Sequence, residues 1–167
     1  MDDIIIVDLP GFKAKYNVKW FDNTDFSNLQ NIKQVYGVLF NDKGEVLIIN
    51  TVGNWQLPGG KPEKMEELKE TLLREVKEEA SVEIEDIKPI GYQIISEIKE
   101  DGKGPEFCQI RFAARIKRLN KIGIDPATGK IPQRKFIKTS EFLKYCPWGK
   151  IGQYVVDIGY KLMKFHS

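Results

Sequence analysis

Apolar residues in this chain fall mostly into short β-branched runs broken by turn chemistry, with two stretches at helical spacing. Residues 4–9 end at Pro10-Gly11 and read as a strand and a turn. Residues 13–21 read as a second strand, closed by the turn cluster Asp22-Asn23-Thr24-Asp25. Residues 34–40 and 45–50 flank Asn41-Asp42-Lys43-Gly44 and predict a hairpin. Both of its arms are apolar at nearly every position, the mark of strands buried on both faces. Residues 55–57 form a short strand running into Pro58-Gly59-Gly60, and residues 91–98 a further one. Residues 106–118 alternate most clearly: Cys108, Ile110, Phe112, Ala114 and Ile116 point to a core, while Gln109, Arg111, Ala113 and Arg115 point the other way.

Helical spacing sets in at residues 67–80, where Leu68, Leu72, Leu73, Val76 and Ala80 make an apolar stripe. It returns at Ile151, Val155, Ile158, Leu162 and Phe165. Between them, residues 125–133 carry Pro-Ala-Thr-Gly turn chemistry and read as a loop. Thr139 or Ser140 can cap a short helix through Tyr145, which Pro147-Trp148-Gly149 interrupts. Strands interleaved with three helices predict an α/β fold, a mixed β-sheet sandwiched between helices.

With 167 residues the chain fits one domain, or one domain with an added arm. Residues 1–31 read as that N-terminal arm, which can pack on the domain, cover the site, or pair with a second subunit in a homodimer. Residues 32–167 form the domain. Hydrophobic content is 41% and the formal net charge +2, so neither bulk nucleic-acid binding nor a membrane is expected. Met1 is followed by Asp2-Asp3 rather than by a basic and then an apolar segment, so no secretory signal is expected and the default location is cytoplasmic. Cys108 and Cys146 form no Cys-x-x-Cys pair and read as reduced thiols. The sole histidine, His166, makes zinc chemistry an unpromising reading.

Candidate chemistry sits on the first helix. Glu75, Glu78 and Glu79 are spaced by three and four residues and project from one side of it. Like charges at that spacing repel, so the cluster gains most from a cation held between its members. Hard divalent ions such as Mg²⁺ or Mn²⁺ take oxygen ligands of this kind and also bind phosphate. Glu75 and Glu79 border the apolar stripe and should be partly enclosed; Glu78 lies further out. The competing reading is a solvated acidic helix face.

The surrounding residues decide between the two. Gly60, Glu66, Arg74, Glu75, Val76, Glu78, Glu79 and Val82 resemble the Nudix box, G-x5-E-x7-R-E-U-x-E-E-x-G-U, with U a bulky aliphatic residue. Trp55-Gln56-Leu57-Pro58-Gly59-Gly60 is similar to that family's usual lead-in. Ser81 departs from the pattern, standing where the family has the glycine that closes the helix. The resemblance implies a Nudix-like α/β/α sandwich. It also implies hydrolysis of a pyrophosphate bond in a nucleoside diphosphate joined to another group, with Mg²⁺ or Mn²⁺ as cofactor. It implies Glu78 and Glu79 as main metal ligands, Glu75 as a further ligand or the acceptor of the water's proton, and the Gly59 or Gly60 carbonyl completing the shell. Glu66 and Arg74 are implied as the supporting pair.

Many relatives carry one more carboxylate before an aromatic residue in a late strand; here Pro132-Gln133-Arg134-Lys135-Phe136 has no acid, which favours Glu75 as the base. Glu97, Glu100, Asp101 and Glu106 are candidates for an extra ligand. Arg134, Lys135 and Lys138 read as solvated surface. On the substrate side, Arg111 and Arg115 suit phosphate or nucleotide contact or else salt bridging at a sheet edge, Gln109 shares their face, and Tyr36 can stack on a base or pack in the core. The expected partner is a nucleotide-type small molecule, a modified or ordinary nucleoside triphosphate first. ADP-ribose, dinucleoside polyphosphates and RNA caps stay open, as does a Nudix-fold sensor that binds a nucleotide without cleaving it.

Overall fold

The computed structural model describes residues 1–165 and is built on a sheet of nine strands. His166 lies outside the described residues. In chain order the strands are β1 (Asp2–Leu9), β2 (Phe12–Phe21), β3 (Ile32–Phe40), β4 (Val46–Asn50), β5 (Trp55–Gln56), β6 (Gly59–Gly60), β7 (Val82–Lys99), β8 (Gly102–Leu119) and β9 (Gln133–Ile137). Helix α1 (Leu68–Ala80) lies between β6 and β7; α2 (Phe142–Tyr145) and α3 (Gly149–Leu162) follow β9. The sheet order is β1-β2-β7-β8-β3-β4-β5, with β6 paired to β3 and β9 to β4. Strands β3 and β8 run parallel and the other pairs antiparallel, so the sheet is mixed. Strands β1 and β2 widen it through the β2–β7 ladder. No described helix is long and apolar enough to cross a membrane.

Each face of the sheet carries its own core. Val35, Leu39, Leu47, Ile49, Ile110, Phe112 and Ala114 pack beneath α1, against Leu72, Val76 and Ala80. Val38, Phe40, Ile48 and Ala113 pack beneath α3, against Ile151, Val155 and Val156. The unbroken apolar runs of β3 and β4 thus serve two layers at once. Leu72 and Val76 are fully buried, each worth about 1.5–3 kcal/mol of transfer from water. Leu73 departs from the expected stripe: it is 44% exposed, because one helix can bury only the side it turns to the sheet.

Three elements differ from the sequence pattern. Strand β7 starts at Val82 rather than at residue 91, and bulges around Glu85/Lys88 and Pro89/Gly91 hide its alternation. Strand β9 is an edge strand held only by β4, with too few apolar positions to show a period. Thr139 does not cap the short helix; Thr139–Glu141 form a 3₁₀ turn that leads into α2.

Candidate active site

Helix α1 begins after Glu67, whose N–H donates to the Glu70 carboxylate at 2.9 Å. It ends at Ser81, which adopts the left-handed conformation at φ 53°. That conformation costs a residue with a Cβ roughly 1–2 kcal/mol. Here the end is held from several sides. Ser81 Oγ accepts from the Gly123 N–H at 3.2 Å, and the Ser81 carbonyl accepts from the Asn120 N–H at 2.9 Å. Arg134, rather than being solvated surface, donates to the carbonyls of Ala80 (2.9 Å), Ser81 (3.3 Å) and Asn120 (2.8 Å). These contacts allow a helix stop without the usual glycine.

On the helix face, Arg74 is the hub. Its Nε donates to Glu66 Oε1 at 2.7 Å, Nη1 to Glu75 Oε1 at 2.7 Å and to Glu78 Oε2 at 3.4 Å, and Nη2 to Glu66 Oε2 at 3.0 Å. The Arg74 guanidinium holds the Glu66 carboxyl down at about 2. Glu75 goes the other way: burial raises it, against the pull of Arg74. Glu79 is raised to about 7, chiefly by burial, with the charges of Glu75, Asp125 and Glu78 adding to the effect and the Gly59 hydrogen bond opposing it. Side-chain exposure follows the helical wheel, 14% for Glu75 against 35% for Glu78.

The lead-in presses against this face. The Gly59 N–H donates to Glu79 Oε2 at 3.0 Å. A Cβ at Gly59 would fall on the Val35 carbonyl oxygen and the backbone of Tyr36, and one at Gly60 would fall on the Glu75 carboxylate. Glycine at these two positions is therefore a condition of the close approach. Among the described residues no three carboxylate, thiolate or imidazole groups converge as a ready-made metal cage. The donor set nonetheless fits a hard divalent ion: carboxylate and carbonyl oxygens only, with like charges crowded around a half-buried Glu79 that a cation would relieve.

The expected outside ligands are placed elsewhere. Glu97, Glu100, Asp101 and Glu106 lie at the hairpin end of β7 and β8. Asp125, 1% exposed, is the carboxylate outside the box whose charge reaches Glu79; its own oxygens accept from the Ala127 N–H and the Thr128 hydroxyl, both at 2.9 Å. Its place in a Pro-Ala-Thr-Gly turn disguised it, since Asp in such a turn normally serves only the turn.

Across the sheet, beneath α3, lies a cavity of about 280 Å³. Arg111, 2% exposed, is its central cation. All its partners are neutral: the Ile110 carbonyl at 3.2 Å, Gln109 Oε1 at 2.9 Å, and the rings of Tyr36 and Trp148 at 4.6 and 5.4 Å. Burial pushes its pKa down to about 10, which leaves it charged at neutral pH. Gln109 and Tyr36 join Arg111 there, together with Gln56, Gln93 and Trp148, which the sequence pattern did not single out. Arg115 does not. Four residues further along β8, it donates to the Met163 carbonyl and stacks over Phe165 at 4.5 Å, tying the strand to the end of α3. The polar side of β8 thus splits into a cavity-lining half and a structural half.

Tyr36 links the two sites. Burial raises its hydroxyl, Arg111 pulls it down and Glu79 raises it further. A model of the NUDIX domain matches residues 31–153. This chain belongs to the Nudix hydrolase family. In sequence it is similar to the 8-oxo-dGDP phosphatase NUDT18 of Danio rerio, 35% identical over 91 residues, which is 51% of this chain and 26% of that one. The chain therefore spans about a quarter of that relative's length. In structure it is similar to the Bacillus subtilis pyrophosphohydrolase BsRppH, with a TM-score of 0.64, 22% identity, and coverage of 89% of this chain and 90% of that one. It also resembles the Ap4A hydrolase of C. elegans, with a TM-score of 0.54, 15% identity, and coverage of 80% and 99%. At such identities the two structures speak for the Nudix fold.

Proposed function

We propose that this protein is a divalent-metal-dependent hydrolase that cleaves a pyrophosphate bond in a nucleoside diphosphate linked to another group, with a modified or ordinary nucleoside triphosphate as leading substrate. One observation carries the reading: the segment from Gln56 to Gly60 runs from a cavity holding a buried cation to a helix face holding enclosed carboxylates. A nucleotide needs both environments, one for its base and one for its phosphates. The zebrafish relative's name, an 8-oxo-dGDP phosphatase, supports the same substrate class.

In this reading Glu78, Glu79 and the Gly60 carbonyl would hold Mg²⁺ or Mn²⁺, with Glu75 either a further ligand or the acceptor of the water's proton; the ion, when bound, would neutralise phosphoanhydride charge and acidify a water. Arg74 orients Glu75 and Glu78, and Glu66 anchors Arg74. Glu75 is suited to take the proton of the attacking water, because its partly buried carboxylate has a raised affinity for protons. The water's oxygen bonds to phosphorus, the bridging P–O bond breaks, and the leaving phosphate carries away the bond's electron pair. Arg111, Gln109 and Tyr36 hold the base.

A rival reading, a Nudix-fold sensor that binds without cleaving, draws on Arg74, which already engages Glu66, Glu75 and Glu78. Incubation with Mg²⁺ and a panel of nucleoside triphosphates, nucleoside diphosphates, ADP-ribose, dinucleoside polyphosphates and capped RNA separates the two. Metal-dependent products, abolished by chelation, support the hydrolase. Tight binding with no product from any of them supports the sensor.

A further inference from the structure

Building on the assignment of the cavity to the base, we infer that it reads a lactam edge, a ring carbonyl beside a ring N–H, and so selects keto-type bases such as hypoxanthine and guanine over adenine.

The argument starts from a residue that can only donate. A guanidinium has five N–H groups and no acceptor. The Gln109 atom that meets Arg111 Nη2 at 2.9 Å is therefore the amide oxygen. The same oxygen meets the amide of Gln93 at 2.8 Å, so that atom of Gln93 is the nitrogen. Both side-chain amides, whose ends are otherwise interchangeable, are thereby oriented by one buried charge.

What remains for a ligand has fixed polarity. Arg111 keeps N–H groups not used by Ile110 and Gln109, and Gln109 keeps its NH₂; both are donors. Gln93, a residue only 8% exposed, keeps its amide oxygen, an acceptor. All three residues line the cavity; Ile5, Val18, Ile95 and Val155 supply apolar wall, and Gln56 and Tyr36 are its other polar side chains. At about 280 Å³ the space suits a single base, falling just below the roughly 300–1,000 Å³ usual for ligand pockets.

A lactam fits that pattern, its carbonyl toward the Arg111 and Gln109 donors and its N–H toward Gln93. Adenine presents the reverse, an amino group where the carbonyl would be and an unprotonated ring nitrogen where the N–H would be. Donor then faces donor and acceptor faces acceptor, and the groups so mismatched lose the hydrogen bonds they make in water. Sites that hydrogen-bond an edge in this way discriminate far better than apolar pockets do.

IMP and AMP differ only at this edge. Their affinities for this chain, measured by calorimetry in EDTA so that metal occupancy does not enter the comparison, test the inference directly. IMP is expected to bind at least tenfold tighter than AMP. Gln109→Glu keeps a partner for Arg111 and Gln93 but removes the NH₂ donor, and the preference is expected to fall below threefold. Gln93→Met, which removes the acceptor, is expected to do the same and serves if the first variant does not fold. Equal affinities, binding of neither nucleotide, or an unchanged preference in a folded variant would overturn the inference. Turnover of ITP and ATP with Mg²⁺ separates it from the hydrolase reading. Cleavage of both at equal kcat/KM sinks the lactam selection alone. Tighter IMP binding with no cleavage of any nucleotide sinks the hydrolase alone.

Discussion

The Gly59 N–H and the Glu79 carboxylate meet at 3.0 Å, joining β6 to the last turn of α1. Glu79 thus sits in a half-buried position with one backbone donor and several like charges nearby. A carboxylate in that setting is poised to gain from a cation.

Replacing Glu79 by Gln keeps an acceptor for Gly59 and removes the charge. In steady-state assays on the substrate found in the nucleotide panel, Glu79→Gln is expected to lose roughly 10²–10³-fold in kcat, the scale of a removed electrostatic contact at a reacting centre. Its metal-free thermal stability should equal or exceed that of the parent, since a neutral amide costs less to bury. Turnover at the parent rate would remove Glu79 from the site.

The two displaced carboxylates set opposite pH dependences for the metal-free protein. Glu66 ionises more readily folded than unfolded, so its contribution is present above 4.5 and is lost as pH falls toward about 2. Glu79, at about 7 folded against an ordinary 4.5, holds its proton longer in the folded state, so stability falls as pH rises from about 4.5 to about 7. In the proposed metal site, Mg²⁺ would relieve the crowding once Glu79 is ionised. Its stabilising shift in Tm is therefore expected to be larger at pH 8 than at pH 5.5, and equal shifts would contradict the account.

Gly60 tolerates no Cβ without moving the Glu75 carboxylate. Gly60→Ala is expected to weaken Mg²⁺ binding about 10–100-fold, the range for disturbed support of a metal ligand, while IMP affinity in EDTA stays within about threefold of the parent, since the cavity is not touched. Calorimetric titration with each ligand in turn checks the separation.

Arg134 serves three carbonyls at the end of α1. Arg134→Ala is expected to destabilise the fold by about 1.5–3 kcal/mol in urea denaturation, the range for hydrogen bonds to a charged group. Arg134→Lys, with a point charge in place of a planar fork, should recover only part of that loss.

Much of the carboxylate site was legible in the chain because it is local. Glu75, Glu78 and Glu79 lie on one helix whose period can be counted, and glycines, arginine and acid stand at fixed distances around them. The two-faced core of β3 and β4 was legible for the same reason, since an unbroken apolar run has no solvent side. The cavity was legible only in part. The alternation of β8 set Gln109, Arg111 and Arg115 on a common side, yet only the three-dimensional arrangement puts α3 over Arg111 and sends Arg115 to the Met163 carbonyl.

Other assignments depended on contacts between distant segments. Gln93 meets Gln109 across a strand pair, Arg134 reaches Ala80 over 54 residues, and Asp125 comes within electrostatic range of Glu79 by loop placement. The sequence by itself determined the helix that gathers the acids, because side chains three and four apart on a helix are neighbours wherever that helix is placed. Only the tertiary structure decided what Arg111 faces and which amides it orients, because a side chain's partners across a sheet depend on register and on the layer packed above, and neither is encoded within any one segment.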